Sequence, residues 1–122
     1  MIAGERCTRA CGFCAVDTRR PMALEVDEPD RVAEATRRMD LRHVVITAVA
    51  RDDLPDGGAA HFQKVIERVR EVNTGIVIEV LTSDFMDDDS AIYPVISARR
   101  EIFNNNMATV SIPTPKVLTN IP

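Results

Sequence analysis

At 122 residues, 45% hydrophobic and formally −4 at neutral pH, the chain has the size and composition of one globular domain, which excludes a disordered or low-complexity tract. Its acidic residues are scattered apart from Asp87-Asp88-Asp89, so there is no basic footprint for nucleic acid, and no stretch approaches the ~20 apolar residues of a membrane helix. The three cysteines, an odd number packed too tightly for mutual bridging, point to a reducing compartment. The expectation is a cytoplasmic protein, or a mitochondrial one in a eukaryote, with no transit peptide visible in Met1–Arg6.

In chain order the first feature is the run Cys7-Thr8-Arg9-Ala10-Cys11-Gly12-Phe13-Cys14, a C-x3-C-x2-C array holding every cysteine of the chain. Pro29 near a helix start, with Val32, Ala35 and Met39 at helical spacing, predicts the first helix. His43–Val49 is β-branched and almost continuously apolar, as in a strand covered on both faces of a parallel sheet. A polar loop, Arg51–Gly58, supplies Asp56 as an N-cap to a second helix whose Phe62, Val65, Ile66 and Val69 fall at i, i+3, i+4 and i+7. Gly75–Thr82 reads as a second strand. Pro94 within Ile92, Val95 and Ile96 predicts a short or broken helix, because an interior proline costs ~3 kcal/mol. Glu101–Asn106 reads as a third strand, and the proline-containing tail 111–122 as irregular, leaving residues 1–110 as the folded domain. Alternation of strand and helix sets the class as α/β.

Three thiolates so close in sequence can meet one inorganic centre only if the backbone wraps around it, which Gly12 and the small Thr8 and Ala10 permit. Iron–sulfur clusters usually take four cysteines, so three leave one iron of a [4Fe–4S] cube open to another ligand. Two other readings stay open at this point: a zinc site, for which only His43 or His61 could supply the fourth ligand, and plain thiols. The spacing resembles that of radical S-adenosylmethionine (radical SAM) enzymes. That resemblance implies that Cys7, Cys11 and Cys14 hold a [4Fe–4S] cluster, that SAM chelates the open iron, and that one electron cleaves it to a 5′-deoxyadenosyl radical. Phe13, the aromatic residue before the last cysteine, then lies near the adenine.

Three further segments carry a narrower resemblance. Cys7–Val16, Val45-Ile46-Thr47 leading to Arg51-Asp52-Asp53-Leu54-Pro55-Asp56-Gly57-Gly58-Ala59, and Ile78–Thr82 with Asp84-Phe85 resemble lipoyl synthase, in register from about Met1 to about Val117. This implies a partial (βα) radical SAM barrel of about four parallel strands with helices on the outer face. It also implies insertion of two sulfurs at C6 and C8 of an octanoyl group carried by a lipoyl-accepting protein, with a flavodoxin or ferredoxin as reductant. The same resemblance, with the placement of loops at the C-terminal ends of strands, makes Phe13, Asp53, Asp56, Gly57, Gly58, Glu79, Asn104 and Asn106 the candidates for cofactor contact. For the aspartates turn and cap chemistry is the competing reading, and for Glu79 a solvated rim position. No residue is singled out as catalytic.

The chain departs from the family's pattern at Ala48, Ala50, Asn105, Ala108 and Leu118, and its cysteines leave none for the family's auxiliary [4Fe–4S] cluster. A barrel usually needs ~250 residues, so the sequence reads as a fragment, or as a non-catalytic remnant that binds a cluster or zinc. Its open sheet edges predict dimerisation or aggregation, with a homodimer closing edge on edge as one outcome.

Overall fold

The computed structural model describes residues 1–98 and the backbone of residues 102–105; Asn106 and the tail 111–122 lie outside the described residues. The elements run α1 (Glu28–Arg38), β1 (His43–Thr47), α2 (Ala59–Val72), β2 (Val77–Thr82), α3 (Asp89–Ala98) and β3 (Ile102–Asn105). The strands form one parallel sheet in the order β1-β2-β3. His43 pairs with Val77 and Thr47 with Leu81, and Leu81 in turn with Asn104. A single parallel bridge between Ile2 and Ala48, with the Ile2 N–H donating to the Thr47 carbonyl at 2.7 Å, sets the N-terminal segment beside β1. Thus three of the expected strands are regular and the fourth is reduced to a bridge. The chain is an α/β partial barrel.

The core lies between the sheet and the helices. Phe62, Val65, Ile66 and Val69 of α2 are buried at the predicted spacing and meet Ile46, Ile78 and Val80. Each such side chain contributes about 1.5–3 kcal/mol of burial before chain entropy is subtracted. On α1 the buried stripe differs from the expected one. Ala33 and Thr36 are buried with Val32 against them, whereas Ala35 and Met39 are exposed. Small residues on that face let α1 pack closely on α2, and the Thr36 hydroxyl satisfies itself on the Val32 carbonyl at 2.8 Å.

Two other expectations need correction. The strands are covered on one face by the helices, while the inner face carries Val45 at 54% and Val77 at 37% exposure. A continuous apolar run therefore did not mean two covered faces among the described residues. α3 is short, at ten residues, but it is not broken: it runs through Pro94 and buries Ala91 and Val95. The carbonyl that loses its partner to Pro94 belongs to Ser90, which is exposed, so water can replace the missing bond.

The turn into α2 depends on glycine. Gly57 and Gly58 sit at φ +61° and +88°, and a Cβ at Gly57 would stand 3.1 Å from Phe85 Cδ1. Gly57→Ala should lower stability by roughly 1–2 kcal/mol in urea titration. Gly75→Ala, at φ +79° but with nothing within 4 Å, should cost less.

Candidate cluster and cofactor site

The C-terminal ends of β1 and β2 and the cysteine loop enclose a cavity of about 270 Å³. Cys7, Cys11, Cys14 and Phe13 line it from the loop, Thr47–Ala50 from β1 and Leu81–Asp84 from β2. Strand ends are where a βα architecture leaves backbone and short loops free for chemistry.

The loop is tied down at both sides. The Cys7 N–H donates to the Asp17 carbonyl at 2.9 Å and the Thr8 N–H to the Ala50 carbonyl at 3.1 Å. The Thr8 hydroxyl accepts from the Asp52 N–H at 3.0 Å, and its single proton lies within reach of both the Ala50 carbonyl and Asp52 Oδ2. Around the later cysteines the chain closes a tight turn, with the Cys14 N–H on the Cys11 carbonyl at 3.0 Å. The Arg9 N–H points to Cys7 Sγ at 3.4 Å, a donor of the kind that stabilises thiolate sulfur.

All three thiols are free; Cys7 and Cys11 are half-buried and Cys14 is exposed. Burial pushes the Cys11 thiol up, and the negative charge of Cys7 and Cys14 pushes it further, with Arg9 opposing. Three cysteine sulfurs on one short loop are a donor set that suits a metal centre, and metal coordination deprotonates such thiols outright. Among the described residues no three His, Cys, Asp or Glu side chains group tightly enough for one ion. The three cysteine sulfurs are the donor chemistry that a [4Fe–4S] cluster takes, one short of the usual four, and in that respect the set fits a cluster. Both histidines are engaged elsewhere, His43 Nε2 with Glu79 Oε2 at 3.2 Å and His61 Nε2 with Glu28 Oε2 at 2.5 Å.

The other sequence candidates divide. Phe13 lines the cavity and is 61% exposed as a residue, available to a flat ligand. Asp53 is instead bound by the Arg51 fork, Nε to Oδ1 at 2.8 Å and Nη2 to Oδ2 at 2.9 Å, and does not line the cavity. Asp56 accepts from the Gly58 N–H at 2.9 Å and the Ala60 N–H at 2.8 Å, so it caps α2 from just outside the N-cap, which is Gly58. Gly57 and Gly58 serve the turn. Glu79, on the inner face, faces His43, and Asn104 sits in β3 at the register of Leu81.

The sequence motifs give no individual role to Arg9 or Asp84, and for Asp52 they offer turn and cap chemistry against cofactor contact. In the fold, Arg9 Nε and Nη2 donate to Asp52 at 2.8 and 3.0 Å, while Nη1 and Nη2 donate to Asp84 at 2.9 and 2.6 Å. A charged residue inside an otherwise small-residue loop was the available signal.

The Arg9 guanidinium holds the Asp84 carboxyl below the usual carboxylate range, and Arg51 does the same for Asp53. A folded-state value below the unfolded one means stability that is fully present above the unfolded value, near 4, and lost as pH falls from there through the folded value. The melting temperature should therefore hold from pH 7 to about 5 and decline below about 4. Asp84→Asn should flatten part of that decline, measured by circular dichroism.

A sequence model of the radical SAM superfamily matches residues 1–113. That match spans nearly the whole chain, including the cysteine loop and both strand ends that line the cavity. The chain belongs to the radical SAM superfamily.

Proposed function

We propose that this protein is a lipoyl-synthase-like radical SAM enzyme acting on an octanoyl group carried by a lipoyl-accepting protein, with a flavodoxin or ferredoxin as electron donor. The reading is supported by one observation above all: the two segments that most resemble that family meet in space. Thr8 and Arg9 of the cysteine loop grip Asp52, the first aspartate of the Asp52–Ala59 run.

Superfamily membership implies SAM and a [4Fe–4S] cluster in general terms. In the present reading Cys7, Cys11 and Cys14 hold the cluster, which when reduced supplies the electron for reductive cleavage of SAM. Phe13 offers a ring face to the adenine. Thr8, Arg9 and Asp52 fix the loop against the sheet, and Asp56 with Gly57 and Gly58 fixes the turn behind it. Asp53 acts through Arg51, by holding the buried side chain that ties this turn to the N-terminal segment. Among the described residues no helix is long and apolar enough to cross a membrane.

The test is anaerobic reconstitution with iron and sulfide, reduction, and addition of SAM with an octanoyl-lysyl peptide deuterated at C6 and C8. The expected result is 5′-deoxyadenosine carrying deuterium. Unlabelled 5′-deoxyadenosine would keep radical chemistry but sink the octanoyl substrate. A full cluster with no 5′-deoxyadenosine would leave a cluster-binding module without catalysis.

A further inference from the structure

We infer that Arg9 is a positioning residue for the cofactor cavity, its guanidinium spanning Asp52 and Asp84 so that the cysteine loop is held against the ends of β1 and β2 together. The inference rests on reading Cys7, Cys11 and Cys14 as cluster ligands.

The geometry is that of a two-sided clamp. Arginine has five N–H donors in a rigid plane, and four donations from Arg9 reach the two carboxylates, between 2.6 and 3.0 Å. The Arg9 side chain is 17% exposed and Asp52 23%, so water competes weakly for that arm, while Asp84 at 42% is the more solvated arm and is held by two donations from the same guanidinium. The three segments joined are distant in sequence: Arg9 lies between Cys7 and Cys11, Asp52 follows β1, and Asp84 follows β2. One backbone bond and the hydroxyl of Thr8 already tie the loop to the segment after β1. Among the described residues, Arg9 is the hydrogen-bonding link from the loop to the end of β2. Arg9 and Asp84 both line the cavity, so the clamp sets the distance between two of its walls.

Charge makes the clamp hard to replace. Without the guanidinium, Asp52 and Asp84 become neighbouring like charges that push the two strand-end loops apart. Lysine would restore the charge but not the fork.

Two measurements test this on the full chain. In the metal-free protein, Arg9→Ala should speed amide hydrogen exchange at Thr8 and Cys7 by about tenfold or more, with α2 amides at Val65 and Ile66 unchanged. After reconstitution, Arg9→Ala should still take up iron. Its apparent Kd for SAM, read from the SAM-induced change in the electron paramagnetic resonance spectrum of the reduced cluster, should rise about tenfold. Arg9→Lys should recover little of either loss, and Arg9→Ala combined with Asp84→Asn should be no worse than Arg9→Ala alone, as two ends of one link require. Wild-type exchange and wild-type SAM affinity in Arg9→Ala would overturn the inference, as would faster exchange across the whole molecule. If the wild type takes up no four-iron cluster, the reading of the cysteines fails, and the exchange measurement still decides whether Arg9 clamps the loop.

Discussion

Cys11→Ala should abolish the iron centre: iron in the reconstituted protein should fall from about four atoms per chain to well below one, with loss of the broad visible absorption and of all 5′-deoxyadenosine formation. Cys11 sits between the other two thiols in the loop, and its thiol is the one that burial and neighbouring thiolates hold up. With it gone, two thiolates remain where a cube needs at least three. The fold should not suffer, because Cys11 packs in a loop outside the buried core. Far-ultraviolet circular dichroism should therefore match the parent. Phe13→Ala is the companion variant, since Phe13 lines the same cavity without being a ligand. It should keep its iron and lose affinity for SAM. Retention of a full four-iron complement by Cys11→Ala would sink the assignment of this array as the ligand set.

Arg51→Met should cause the largest loss of stability of any single change at a polar residue here, about 2–4 kcal/mol, measured by urea denaturation. Arg51 is only 3% exposed, a burial that a cation tolerates only when paired and hydrogen-bonded. It donates to the Ala3 carbonyl at 2.8 Å and the Met22 carbonyl at 2.9 Å, and its fork grips Asp53. Methionine fills much of the volume but leaves those carbonyls without their donor. Asp53 is 35% exposed on its side chain, so water can re-solvate it and the ion pair itself contributes the smaller share. The damage should reach the cavity indirectly. Arg51 joins the N-terminal segment, the segment before α1 and the loop after β1, and Asp52 beside it carries one arm of the Arg9 clamp. Asp53→Asn, which keeps a hydrogen-bond acceptor toward Arg51, should cost appreciably less than Arg51→Met.

Local patterns carried much of the fold because they report local physics. The i, i+3, i+4, i+7 stripe of α2 and the β-branched runs of β1 and β2 each satisfied their own geometry and appeared where expected. The pattern on α1 misled by one position, because with so few large apolar residues on that helix the contact is set by which small residues let α2 approach. Pro94 misled for a related reason. Its cost was local, and the burial of Ala91 and Val95 that offsets it is tertiary. The inner face of the sheet was illegible, since Val45 and Val77 have the same sequence character whether covered or exposed.

The sequence alone determined the donor set of the site, three thiols at a fixed short spacing, and the superfamily to which the chain belongs. Three thiols at fixed short spacing can converge on one centre whatever surrounds them, because loop closure over so few residues costs little. It also determined the α/β class, through the two side-chain periods. What only the tertiary structure decided was which charged residues serve that centre and which serve the scaffold. Asp52, Asp53 and Asp56 lie within one short loop and look alike in sequence, yet one joins Arg9 at the cavity, one fixes a buried arginine and one caps a helix. A carboxylate's role follows from the donor it meets, and donors such as Arg9 arrive from segments far along the chain.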